Sequence, residues 1–350
     1  MQRLFRGRLV CGVAVGLALF SLPQTGRAQA NKNVNAERVK FDTFDLVEIH
    51  GTFYPSAKGN KAPCAVMLHA LGGSSDQDGW ADLAQKLQAK DIAVLTFDFR
   101  GHGESTAVSP QFWSYRNNQS IKGYRADRPR EQISYKQFTN FNNWTSLVDD
   151  IAAAKHFLDR KNDSGDCNSA NVIVIGAEGG GTLGAMWIAS EWQRRKYMPV
   201  IGLATGQRNQ VEGQDIACAV YLSITSAIGV PPRYTLPVDS FMKNPVREKV
   251  PMYFLYGEQD TKSASYAKHL CETVLRVDKD SKLKLSGKMP IKDTKLAGRE
   301  LLGKASLPTE DLIVRYITEV IDKRGTSPWT KRDADRTILV RVQVERLLNR

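Results

Sequence analysis

The sequence predicts an α/β domain, a mostly parallel sheet with helices on both faces. Three observations predict it. Short, continuously apolar runs containing β-branched residues recur along the chain, segments with helical apolar spacing separate them, and glycine-rich turns follow several of the runs. A strand that is apolar at every position is buried on both faces, which a parallel sheet covered by crossover helices provides. Composition agrees: 350 residues, 42% apolar and 9% aromatic, can bury a large core. Such a chain is too apolar for disorder and lacks the bias of collagen or coiled coils.

The elements follow in order. Residues 39–54 supply two early strands forming an antiparallel edge. Residues 65–68 are a short apolar run closed by Gly72-Gly73-Ser74-Ser75, and Trp80, Leu83, Ala84 and Leu87 predict a helix over 80–87. Residues 92–97 read as a strand, 147–158 as a helix, and 172–175 as a strand ending at Gly176. A helix over 182–192 comes next, and further strands fall at 216–222, 252–256 and 282–285. Helices near 263–276 and 309–323 complete a single domain over 31–323, without internal repeats or a low-complexity linker.

Residues 1–30 are set apart as an export signal. Arg3, Arg6 and Arg8 precede an apolar run over 9–22, and Ala28-Gln29-Ala30 offers small residues at a cleavage point. That run is shorter than the ~20 residues a membrane-spanning helix needs, so cleavage near Ala30 and an exported protein, periplasmic or secreted, are expected. No later stretch is long and apolar enough to cross a bilayer. Cys64, Cys167, Cys218 and Cys271 follow the signal, an even number that permits disulfides in an oxidising compartment or buried free thiols. No cysteine–histidine spacing suits a metal, and no cofactor motif occurs.

Two motifs carry a family resemblance. Leu68-His69-Ala70-Leu71-Gly72-Gly73-Ser74 follows one strand, and Asp98-Phe99-Arg100-Gly101-His102-Gly103-Glu104-Ser105 follows another. With the intervening helix they resemble the α/β-hydrolase superfamily, closest to its dienelactone-hydrolase-like and serine-aminopeptidase-like branches, over about residues 41–323. The resemblance implies an α/β-hydrolase fold, an oxyanion-hole amide from the loop holding His69, Ala70 and Leu71, and a nucleophile, an acid and a base at three known places.

The nucleophile elbow reads Gly176-Ala177-Glu178-Gly179-Gly180-Gly181, so Glu178 stands where G-x-S-x-G has its serine, flanked by Ala177 and Gly179. No G-x-S-x-G occurs elsewhere in the chain. Asp260 matches the acid after the penultimate strand, and as a loop residue it could equally cap the helix that follows. The base would follow the acid, in the loop after the last strand; residues 293–300 contain no histidine, and Arg299 stands about where one belongs. Arginine cannot accept a proton near neutral pH. Of the five histidines only His269 lies beyond Asp260, and it reads as mid-helix. Two triad positions are therefore lost together, and Glu178 is expected to fill the oxyanion hole with its own carboxylate.

Other readings give Glu178 more to do. As a nucleophile it would stop at the ester for want of a water-activating histidine. With His69 or His102 it could form an acid–base or metal site, although both histidines sit where structural hydrogen bonding is the rule. The segment 106–143, inserted after the fourth strand, is aromatic and net +4; Trp113, Tyr115 and Tyr124 are its candidate lid residues. The tail 324–350 is basic, and over 337–348 its apolar residues suit an edge strand or a short amphipathic helix, either solvated or docked. These two appendages hold the excess charge, leaving the rest of the domain near neutrality. The expectation is an exported hydrolase-fold protein that binds a small molecule or an acidic envelope polymer, without nucleic acid or cofactor. The alternative is a hydrolase of small esters or lactones using a non-standard site around Glu178.

Overall fold

The computed structural model describes residues 36–196, 210–231, 233–277 and 285–348, within a compact unit that begins at Asn33. The export segment, 1–30, and most of the strand expected at 282–285 lie outside the described residues. Eight strands form one sheet: β1 (Glu37–Asp42), β2 (Glu48–Tyr54), β3 (Pro63–Leu68), β4 (Ala93–Phe97), β5 (Asn168–Ala177), β6 (Ile216–Leu222), β7 (Met252–Gly257) and β8 (Gly287–Ile291). Their order is β1-β2-β4-β3-β5-β6-β7-β8. β1 and β2 run antiparallel at one edge, as expected, and β4, β3, β5, β6, β7 and β8 are parallel.

The central strands β3, β4, β5 and β6 are buried at every residue. Their side chains alternate between two cores, as the pleat requires. Ala65, Met67, Ile173 and Ile175 meet α1 (Trp80–Gln88) and α5 (Thr309–Arg324) on one face. Val66, Leu68, Val172 and Val174 meet α2 (Val148–Asp163) and α3 (Glu178–Glu191) on the other. Helix α3 is apolar on all sides and almost wholly buried. Helix α4 (Thr261–His269) continues as a π-helical turn, Leu270–Leu275.

A buried ion cluster holds the insertion 106–143 to the domain. Arg100, in the turn after β4, donates from Nη1 to Asp45 Oδ2 at 2.8 Å and from Nε to Asp150 Oδ1 at 2.7 Å. Asn118, inside the insertion, donates to the same Asp45 oxygen at 2.9 Å. A buried arginine is tolerable only when every donor is matched in this way. The three candidate lid aromatics pack within the insertion and against Phe44. Trp113 is buried, stacks on Tyr124 at 4.9 Å and donates from Nε1 to Arg130 O. Tyr115 packs on Phe44 and donates to its carbonyl. Their apolar rings are spent on the insertion's own core and on the β1–β2 turn.

The C-terminal tail is docked. Ser327 N–H donates to Asn171 Oδ1 at 2.7 Å, and Trp329 Nε1 to Asn162 O at 3.1 Å. Arg332 and Ala334 N–H groups both donate to Asp163, and Val342 N–H donates to Asp149 Oδ1 at 2.7 Å. The alternation at 337–343 makes no strand: Ile338 and Val340 are exposed and Val342 is buried, and a short helix α6 (Val344–Leu348) follows. Cys64, Cys167, Cys218 and Cys271 are buried free thiols. Among the described residues no helix is long and apolar enough to cross a membrane.

Candidate functional site

Strand β5 passes directly into α3. Ala177 is the last extended residue, and Glu178 opens the helix with φ +49, a left-handed conformation that a side chain adopts only at a cost. The glycines after it admit the neighbouring loop: a Cβ on Gly180 would come within 2.8 Å of Leu68 O. This is the sharp strand-to-helix turn that lifts an elbow residue above the sheet, with glutamate upon it.

The carboxylate does not enter the oxyanion hole. It turns to the loop after β8, beside the backbone N–H of Arg299. There it lies so close to Gly298 (φ +54) that an added Cβ would be 2.7 Å from the carboxyl carbon. Burial pushes the Glu178 carboxyl upward, opposed by the Arg299 N–H and by the charges of Arg299 and Arg233. Leu71 of the loop after β3 packs over Gly179, where an added Cβ would meet its Cδ1 at 3.0 Å.

Arg299, at the position of the missing base, sends its guanidinium elsewhere. Its Nε lies 3.4 Å from Asp78 Oδ2, and its Nη1 lies beside Gly73 of the oxyanion loop. His69 is fully buried: Nδ1 faces Ala70 O at 2.9 Å and Nε2 accepts from Phe99 N–H at 3.1 Å, so both nitrogens are engaged. Burial lowers its pKa. His102 contacts Arg100 O through Nδ1 at 3.0 Å and stacks on Tyr135, and burial pushes it down to about 3. Both imidazoles are neutral struts in the loops at the carboxyl ends of β3 and β4.

A cavity of about 540 Å³ opens beside the elbow. Of the residues singled out in the sequence, Glu178 and Asp260 line it; His69, Ala70, Leu71, Ala177, Gly179 and His102 do not. Asp260 caps α4, accepting from Ser263 N–H at 3.2 Å through Oδ1, and its Oδ2 is buried without a partner. Ser223, Arg233, Lys262 and His269 also line the cavity. Ser223, directly after β6, is 5% exposed, has φ +46, and carries a buried hydroxyl with no partner. His269 lies within the continuous helical run formed by α4 and its π-helical turn, as its mid-helix position in the sequence predicts. The residue closes α4, with Nε2 2.6 Å from Asp239 Oδ2, and its side of the helix faces the cavity. No sequence motif marks Ser223, because its backbone conformation comes from the sheet edge it leaves.

A larger hollow of about 810 Å³ lies between the C-terminal end of α3 and the tail, roughly 20 Å along the helix from the elbow. Lys155, Lys196 and Arg332 there all meet Asp215, although Arg332 Nε and Nη2 and Asp215 Oδ2 have no hydrogen-bond partner. The elbow cavity, at the carboxyl ends of the strands beside Glu178 and Asp260, is the better functional candidate. Among the described residues no group of acidic, histidine and cysteine side chains could hold a metal ion.

Comparison with known proteins agrees with this geometry. The sequence model of the alpha/beta hydrolase family matches residues 65–328. An uncharacterised protein, YfhR, of Salmonella typhi is 28% identical over 118 residues, which is 32% of this chain and 40% of that protein. Thus the match spans less than half the length of that relative. Among solved structures, DcsB in complex with its substrate analogue superposes with a TM-score of 0.53 at 13% identity, covering 81% of this chain and 99% of that one. A fungal esterase from Rhizomucor miehei superposes with a TM-score of 0.50 at 13% identity, covering 83% and 85%. At such identities the likeness concerns the fold.

Proposed function

The chain belongs to the alpha/beta hydrolase family, and on that premise we propose that it binds through its pocket without hydrolysing, in an exported chain released by cleavage near Ala30. The use made of the elbow residue carries this reading. A nucleophile must stand free above the sheet within reach of a base. The Glu178 carboxylate is instead packed against Gly298, beside Arg299 N–H, in the loop that holds the base of a working triad. An arginine cannot replace a histidine as a base, and Arg299 turns to Asp78. Export is supported by the arginines, apolar run and small residues of 1–30.

A second reading, hydrolysis of small esters or lactones around Glu178, is favoured by one observation: the His269–Asp239 pair reaches the same cavity. One experiment decides between them. The purified protein is treated with a fluorophosphonate probe and, separately, with p-nitrophenyl acetate and small lactones. The expected result is no labelled serine, no burst, and turnover at the buffer rate. Labelling of any serine overturns the binding reading, and an acyl-enzyme burst abolished by E178A establishes the second. Cell fractionation and the mature N-terminal residue test export.

A further inference from the structure

We propose that the elbow cavity binds a small carboxylate bearing a hydrogen-bond donor, hydroxyl or ammonium, on the adjacent carbon. In this assignment the donor meets Asp260 and Ser223, and the carboxylate meets Arg233 and Lys262. The inference rests on the reading of this cavity as a binding pocket and adds the ligand's chemistry.

Asp260 supplies the first argument. In a working triad the acid accepts from the imidazole N–H of the base. Here the loop after β8 has no histidine, and the arginine in its place is drawn to Asp78. One carboxylate oxygen caps α4 and the other is buried with no donor, on the wall of the cavity. Buried carboxylate oxygens are ordinarily hydrogen bonded, because leaving one dry and unpaired is costly. The missing donor is one that a ligand can bring.

Ser223 supplies the second. Its N–H is spent on Leu255 O at 2.8 Å, which anchors the residue at the end of β6. The side chain is held at a positive φ, its hydroxyl is buried and unpartnered, and it lines the same cavity. Backbone strain of this kind collects where a side chain must be aimed. A hydroxyl can donate as well as accept, so it can meet the ligand's donor or one carboxylate oxygen.

The cations complete the pattern. Arg233 and Lys262 are exposed, line the cavity, and make no ion pair or hydrogen bond among the described residues. Arg233 acts on Glu178 only through its charge, while that carboxylate is packed against Gly298 in the loop of Arg299. His269, the remaining basic side chain of the cavity, is engaged by Asp239. Two free cations thus accompany one unmatched carboxylate oxygen and one unmatched hydroxyl. A plain carboxylate satisfies the cations but brings nothing for Asp260, and a neutral ester has no charge for Arg233 and Lys262. A 2-hydroxy or 2-amino carboxylate satisfies both.

An isosteric series tests this by titration calorimetry on the purified protein: propionate, lactate, alanine and methyl lactate. Saturable binding of lactate or alanine is expected, with propionate and methyl lactate weaker by roughly 10- to 100-fold; whichever of the first two binds names the donor. D260N keeps the helix cap, since asparagine caps as well as aspartate, and weakens binding about tenfold or more, as does R233A combined with K262A. S223G relieves the positive φ and raises the urea midpoint while lowering affinity, a pairing that misfolding cannot produce. Equal binding of propionate and lactate, no effect of D260N, or no binding by any member overturns the proposal. Ester turnover, measured on the same preparation, bears on the non-catalytic reading alone, so the two can fail separately.

Discussion

Alanine at Gly298 tests the contact on which the non-catalytic reading depends. Gly298 has φ +54, where a side chain costs about 1–2 kcal/mol. The added Cβ would also lie 2.7 Å from the Glu178 carboxyl carbon, well inside van der Waals distance. The carboxylate must move, and overpacking of this kind costs about 1–3 kcal/mol. G298A is therefore expected to cost about 2–5 kcal/mol in total. In the E178A background the carboxylate is gone and the same change costs only the backbone part, about 1–2 kcal/mol. The coupling between the two positions is then about 1–3 kcal/mol, within the range for residues in contact. Urea unfolding of the four proteins, followed by circular dichroism with m-values compared, measures it. Equal costs of G298A in both backgrounds would refute the placement of the carboxylate, and with it the argument that the elbow residue is a strut.

Two further predictions concern the docked tail. Burial pushes Asp149 up to about 8 from an ordinary 3.8. The folded state thus keeps a proton that the unfolded chain loses, so this group's stabilisation is full below about pH 4 and falls as pH rises toward about 8. D149N, which keeps an acceptor for Val342 N–H and cannot ionise, is expected to flatten that decline and exceed the wild type in urea midpoint at pH 8; an unchanged slope contradicts it. Asp150, raised to about 6 by burial, accounts for slope that remains. At the other anchor, Asp163 accepts from Arg332 and Ala334 N–H at 2.6 and 2.9 Å. D163A should lower stability by about 1–3 kcal/mol and make Lys331 and Arg332 the first trypsin cuts. Cleavage at an unaltered rate would mean that the apolar contacts of Val342, Val344 and Leu347 hold the tail by themselves.

Legibility in the sequence varied with how local each cause was. The run 216–222 is a strand because every residue in it is apolar, with Ile216 and Val220 β-branched, and the structure has it at the same limits. The last strand, at Gly287–Ile291, lies beyond the expected 282–285, because Gly287 and Pro290 interrupt the apolar pattern that would announce it. The aromatic insertion was readable as a folded segment but not as one that keeps Trp113 and Tyr124 for itself. His269 looked misplaced by sequence distance, yet the two and a half turns of α4 carry it along the cavity wall from Asp260.

The amino-acid sequence by itself determined the α/β architecture, the elbow with Glu178 at its apex, Asp260 after the penultimate strand, and the want of a base in the last loop. Each depends on periodicity or on residue types at fixed local spacing, and such information survives in one dimension. Only the tertiary structure decided that Glu178 faces Arg299 and Gly298 instead of the oxyanion hole. It also decided that the four cysteines remain thiols, and that Ser223 and Asp260 present unpaired polar atoms to one cavity. Whether a buried polar atom is satisfied depends on every neighbour brought around it, and here those neighbours come from strands and loops far apart in the chain.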